Sequence, residues 1–214
     1  TLQSKTYYAG SKGDEIADYS FNYKLDGTTI RNETIFWYDD GLGSVTRAAT
    51  AEIDAALREQ HTYRDGSAGD KDVITQGLTL QSKTYLVGDV GDEKADFSQN
   101  YRVDGSIRNT TLFWYDGNVR AISASSDAAL REQHTYRKGT VDSDDLTGLT
   151  LQSKTFLLGN VGEEKADYSQ SYSFDGTQVR NTTHFGYEDA TGVVRAESAG
   201  VDAALREQHT YRKG

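Results

Sequence analysis

The chain has 214 residues, 33 acidic against 23 basic, and a net charge of −10. That balance argues against nucleic acid and against an anionic membrane surface, both of which need clustered Lys and Arg. No apolar run approaches the roughly 20 residues of a membrane span, and the absence of cysteine rules out a disulfide scaffold.

Thr-Leu-Gln-Ser-Lys-Thr opens three stretches, at Thr1, Thr79 and Thr150. In the first, residues 2–8 read as a strand, followed by a glycine loop ending in Asp14–Glu15. From Ala17 the chain alternates, with Tyr19, Phe21, Tyr23 and Leu25 on one side and polar residues on the other, which predicts a half-wet strand. Asp26–Gly27 turns the chain, because Gly accepts positive φ without a steric penalty. Residues 29–38 return with Ile30, Thr34, Phe36 and Tyr38 on one face and Ile35 and Trp37 on the other. Residues 44–50 read as a fourth strand. The second and third stretches repeat the order, with strands expected over 95–103, 106–115, 166–174 and 177–187.

Each stretch closes on Asp-Ala-Ala-Leu-Arg-Glu-Gln-His-Thr-Tyr-Arg, letter for letter, at 54–64, 127–137 and 202–212. Helix formers and a capping Asp54 suggest one helical turn near Asp54–Leu57. Alternation of Leu57, Glu59, His61 and Tyr63 then predicts a fifth strand ending at Arg64. The expected fold is all-β, with three tandem antiparallel hairpin or meander units of four to five strands each. These span residues 1–64, 77–139 and 148–214, with polar linkers over 65–76 and 140–147. Units of roughly 65 residues lie near the lower limit for an independent core, so neighbours are expected to support one another. Starting and stopping on repeat boundaries reads as a segment of a longer repetitive protein.

Tyrosine followed by an acidic or basic turn with glycine recurs at Tyr23–Gly27, Tyr38–Gly41 and Tyr63–Gly66. The second stretch has it at Tyr101–Gly105, Tyr115–Gly117 and Tyr136–Gly139, and the third at Tyr172–Gly176, Tyr187–Gly192 and Tyr211–Gly214. The pattern resembles the tyrosine–aspartate (YD, or Rhs-type) repeats of very large bacterial surface and secreted proteins. The resemblance implies stacked β-hairpins, in that family often wound into a shell around a toxin. Here the tyrosines are less evenly spaced than in the family.

Several residues invite chemistry. His61, His134 and His209 occupy one repeated position, and His184 stands where Ile35 and Leu112 stand, so no shared metal site is expected. Asp14–Glu15, Asp92–Glu93 and Glu163–Glu164 are oxygen-rich pairs that suit Ca²⁺ in type but lack any EF-hand pattern. Asn32, Asn109 and Asn181 each begin an Asn-x-Thr glycosylation sequon. Phe36–Trp37–Tyr38 and its copy Phe113–Trp114–Tyr115 suit either sugar stacking or core packing, and Gly186 replaces the tryptophan in the third copy. No nucleophile elbow, phosphate loop or catalytic constellation is present. The expectation is a non-enzymatic structural segment without cofactor, from an extracellular or cell-surface bacterial protein forming a fibre, stalk or filament. Its partners are further copies of the repeat in cis and in trans, with a covalent or bound glycan as an additional candidate. The alternatives are a shell segment of a Rhs-type toxin and a calcium- or glycan-binding adhesin. Leu57, Tyr63, Trp37, Phe36 and Tyr23 are the residues expected to carry the structure.

Overall fold

The computed structural model describes residues 1–65, 77–190 and 192–213. All but Asp65 of the expected 65–76 linker therefore lies outside the described residues, as do the turn glycines Gly66 and Gly214. The protein is all-β, and every strand pairing is antiparallel. It divides into two compact units, Thr1–Arg108 and Asn109–Gly214. That division falls inside a strand of the second sequence copy.

The first unit holds β1 (Ser4–Ala9), β2 (Ile16–Tyr23), β3 (Ile30–Asp39), β4 (Val45–Arg47), β5 (Leu57–Arg64), β6 (Leu80–Val87) and β7 (Lys94–Tyr101). Its sheet runs β1-β2-β3-β5-β6-β7, with short β4 beside the far end of β3. β8 (Ile107–Tyr115) spans the boundary. The second unit continues with β9 (Val119–Arg120), β10 (Leu130–Arg137), β11 (Thr150–Leu158), β12 (Lys165–Tyr172), β13 (Val179–Asp189), β14 (Gly192–Val194) and β15 (Leu205–Arg212). Its order is β8-β10-β11-β12-β13, with β9 on β8 and both β14 and β15 on β13.

Period-two alternation sorts side chains between two unlike faces. On one face of the first unit, Tyr19, Phe21, Ile30 and Ile35 form a buried cluster, joined by Tyr7, Tyr23, Trp37, Tyr63 and Leu78. Cross-strand aromatic pairs recur along it. Tyr7 stacks on Tyr19 at 4.5 Å, Tyr85 on Phe97 at 4.1 Å, and in the second unit Phe156 on Tyr168 at 4.3 Å. The opposite face is hydroxyl- and amide-rich, with Thr6, Ser20, Thr34, Thr62, Ser82 and Asn100 in successive cross-strand pairs. Thr34 and Thr62 hydroxyls lie 3.1 Å apart, Thr111 and Thr135 2.9 Å, and Thr183 and Thr210 2.8 Å.

Bulges interrupt this alternation at repeated places, and the inserted residue is usually charged. Asn22 faces Asn32 but Tyr23 faces Ile30, so Arg31 is extra. That extra residue flips the parity of Ile30 and puts it in the core cluster with Ile35, not beside Thr34 and Phe36 as expected. Asp18 and Asp167 are skipped in the same way, and Arg47 and Arg195 answer them at 2.8 and 2.7 Å. Tyr38 and Tyr187 hydroxyls donate to Ala17 O and Ala166 O beside those bulges, at 2.6 and 2.7 Å.

Three further expectations are corrected. Leu25 does not extend the strand of Tyr23, but sits 93% exposed in the following turn. The fourth strand shrinks to Val45–Arg47 and turns at Ala48, which is buried. No helical turn forms at Asp54–Leu57. Leu57 is already strand, and the short 3-10 turns lie upstream of the refrain at Ala121–Ser123 and Ala196–Ser198. Strand pairing on either side of β5 outweighs the propensity of two alanines, since so short a helix has no stability of its own.

Candidate functional site

The refrain forms β5, β10 and β15, and the first two are paired on both sides. β5 lies between β3 and β6. Its far side meets the opening strand of the next copy in a fixed register: Glu59 faces Tyr85, Gln60 Thr84, His61 Lys83, Thr62 Ser82 and Tyr63 Leu80. β10 meets β11 with equivalent partners, Glu132 facing Phe156, Gln133 Thr155, His134 Lys154, Thr135 Ser153 and Tyr136 Leu151. The same glutamine, Gln81 or Gln152, is skipped in each.

Side chains lock this register. The Leu57 amide donates to Glu93 Oε1 at 3.0 Å, while the other oxygen of Glu93 accepts from the Gly91 amide at 3.0 Å. Leu130 and Glu164 repeat the bond at 3.0 Å, with Glu164 also accepting from Gly162 at 3.0 Å. Arg58 reaches across to Gly88 O at 2.7 Å and back to Asp39 at 3.0 Å. Arg131 does the same to Gly159 O at 2.7 Å and to Asp116 at 2.5 Å. The Gly41 amide and then Arg58 hold the Asp39 carboxyl below its ordinary value. Both arginines are the inserted residues of bulges, Trp37 pairing with Glu59 and Tyr38 with Leu57. The bulge turns each guanidinium along the sheet, where a regular strand position would point it out of the plane.

Glycine is required in the receiving loop. Gly88 and Gly159 both sit at φ +121°, and a Cβ on either would lie 2.7 Å from the carbonyl oxygen of Asp92 or Glu163. The tight loop brings the glycine carbonyl and the glutamate to the incoming strand together.

The refrain histidines contact residues of their own copy. His61 Nε2 lies 2.6 Å from Glu59 and its ring 5.4 Å from Trp37; His134 repeats both contacts with Glu132 and Trp114, at 2.6 and 5.5 Å. Burial pushes the His134 pKa down, against the opposing pull of Glu132. His184 lies 5.9 Å from the Tyr168 ring and 5.8 Å from that of Tyr211. Among the described residues no group of three or more His, Asp or Glu is placed to hold a metal ion.

The paired carboxylates therefore split. Glu93 and Glu164 bind main-chain amides of a neighbouring strand, Glu15 binds the Gly13 amide at 3.0 Å, and Asp14, Asp92 and Glu163 lie in the loops themselves. Asn32, Asn109 and Asn181 are half-buried within strands on the hydroxyl-rich face, opposite Arg64, Arg137 and Arg212. Asn22 Nδ2 donates to Asn32 Oδ1 at 2.8 Å.

One residue stands apart. Glu33 is 0% exposed, faces Phe21 and Tyr63, and neither carboxylate oxygen finds a hydrogen-bond partner among the described residues. Burial raises its pKa to about 7, with only Arg47 pulling the other way. The equivalent residues are Thr110 and Thr182, and Thr110 donates to Lys138 O at 3.0 Å. The sequence showed this difference as a changed middle letter in the sequon, yet the burial that gives it meaning comes only from the sheet.

No family model matches the chain, and no curated protein matches it. The junction itself carries the functional argument.

Proposed function

We propose that this chain is a structural segment of an extracellular or cell-surface protein, in which repeat copies join edge to edge into a fibre, stalk or filament. The supporting observation is the junction: β5 with β6 and β10 with β11 are joined by the same register and the same arginine and glutamate bonds. A junction made by main-chain ladder plus charge-assisted bonds resists shear along the strands, because several hydrogen bonds must break at once. The hydroxyl-rich face and acidic loops keep such an assembly soluble without covering it. Electron microscopy of the native material is the test. Filaments of uniform width carry the reading, and dispersed particles at high protein concentration overturn it.

A further inference from the structure

The third refrain is the same octapeptide as the other two, yet it is built differently. β15 pairs only with β13 among the described strands, and all eight of its residues are exposed, against half-buried or buried positions in β5 and β10. Its outer edge is the edge that β6 covers on β5 and β11 covers on β10. In the first unit, β1 pairs only with β2 among the described strands, and it belongs to the segment Thr-Leu-Gln-Ser-Lys-Thr that supplies β6 and β11. β1 begins at Ser4, whereas β6 begins at Leu80, the counterpart of Leu2, where Tyr63 pairs with it.

We propose that β15 of one molecule receives β1 of a second copy of this chain, in the register and with the side-chain bonds of the two internal junctions. This inference rests on the structural reading above and specifies its contact. Glu207 then faces Tyr7 of the second copy, Gln208 faces Thr6, His209 faces Lys5, Thr210 faces Ser4 and Tyr211 faces Leu2. The receiving loop is already formed: Gly10 has φ +117°, and a Cβ there would lie 2.4 Å from Asp14 O. Glu15 holds the Gly13 amide with Oε2, as Glu93 holds Gly91, leaving Oε1 for the Leu205 amide. Arg206 is the bulged residue of its strand and pairs with Glu188, as Arg58 pairs with Asp39, so its guanidinium is poised for Gly10 O.

The occupant is thereby committed. A generic edge-binding strand would match the backbone, but this segment also brings a glycine carbonyl and a glutamate, and its two other copies, β6 and β11, already pair with β5 and β10. The contact is heterologous: each added copy consumes one edge and presents another, so addition continues. The polar and charged character of β15 limits pairing with unrelated strands.

The test uses the absence of native cysteine. Double variants T6C/Q208C and S4C/T210C place thiols at paired positions, where cross-strand Cα separations of about 4.5–5.5 Å permit a disulfide. S4C/Q208C is two residues out of register. Under mild oxidation the in-register pairs should give a ladder of covalent multimers on a denaturing gel, and the shifted pair at least tenfold less. Sedimentation of the unmodified chain should show mass rising with concentration, and the synthetic peptide TLQSKTYYAGSKGDE should suppress it. Equal crosslinking of shifted and in-register pairs overturns the register. A chain that stays monomeric at every concentration, with no crosslinking, overturns the contact. If native material is filamentous while this chain stays monomeric, the contact fails and the structural role stands; if neither assembles, both fail.

Discussion

The octapeptide Leu-Arg-Glu-Gln-His-Thr-Tyr-Arg occurs as β5 and as β15, and only the surroundings differ. In β5 it is lined on both sides, its histidine is buried beside Trp37, and its arginine and first amide are held by the next copy. In β15 the same letters are exposed throughout, His209 and Glu207 lie 3.0 Å apart in solvent, and Gly186 stands where the tryptophan was. Val193 leans into the vacated space, 2.5 Å from where a Cβ on Gly186 would sit. The chain thus contains its own control experiment. Identical sequence takes the same strand conformation in both places, so the ladder on one side suffices for conformation, while burial and side-chain locking require the second neighbour.

The comparison can be broken most forcefully at the tyrosine. Tyr63→Ala and Tyr136→Ala should each cost about 3 kcal/mol, the low end for removing a packed aromatic. Tyr211→Ala, at a residue 58% exposed, should cost under about 1 kcal/mol. Equal losses in urea denaturation would mean that the edge strand is packed in solution by something else.

Next comes the contrast between copies at the buried acid. Glu33→Thr, which installs the residue of the other two copies, should stabilise the protein by about 1–3 kcal/mol at pH 8, by removing an unpaired buried carboxylate. The sign with pH follows from the raised pKa. Below the ordinary carboxyl value of 4.5 both folded and unfolded states hold the proton; between there and about 7 the unfolded state releases it more readily. Native stability therefore falls as pH rises across that window and levels off above it. Melting curves of the native chain and the threonine variant should converge at low pH, and parallel curves would remove Glu33 from the account.

A smaller effect sharpens the junction itself. Arg58→Ala or Arg131→Ala, each losing a carbonyl bond and an ion pair, should cost about 1–2 kcal/mol. Arg206→Ala should stay within about 0.5 kcal/mol in dilute protein, because an exposed ion pair contributes little. The same variant should nonetheless weaken concentration-dependent assembly, measured by sedimentation.

Much of this was legible in the letters. The alternation of Glu59, His61 and Tyr63 marks β5 as a strand, though the bulge at Arg58 turns Leu57 to the other face, and the repeat itself marks where a copy closes. Tyr19 and Phe21 announce their buried face by the same rule. What the letters withhold is long-range geometry. Bulges add one residue without any sequence mark, so simple alternation puts Ile30 on the wrong face and gives no sign of the reach of Arg58 to Gly88. Glu93 looked like half of a calcium pair because its partner, the Leu57 amide, is a main-chain group 36 residues away. Aspartate and alanines before Leu57 favoured a helical turn locally, and a two-sided ladder overrode them.

The verbatim repetition of the refrain also bears on how the fold is reached. An opening strand at Leu80 finds three equally good octapeptides, and no residue within them marks the correct one. Chain connectivity alone does so, by making the adjacent copy the nearest in sequence and the cheapest loop to close. On a ribosome the first refrain is complete before the third exists, so the order of synthesis removes the competitors. Refolding from denaturant offers all three at once. Recovery of native protein should then be lower from full-length denatured chain than from a chain whose third refrain has been scrambled, as read by recovered near-ultraviolet circular dichroism. Sameness, which makes the junction extendable, makes the unfolded chain ambiguous about its own order.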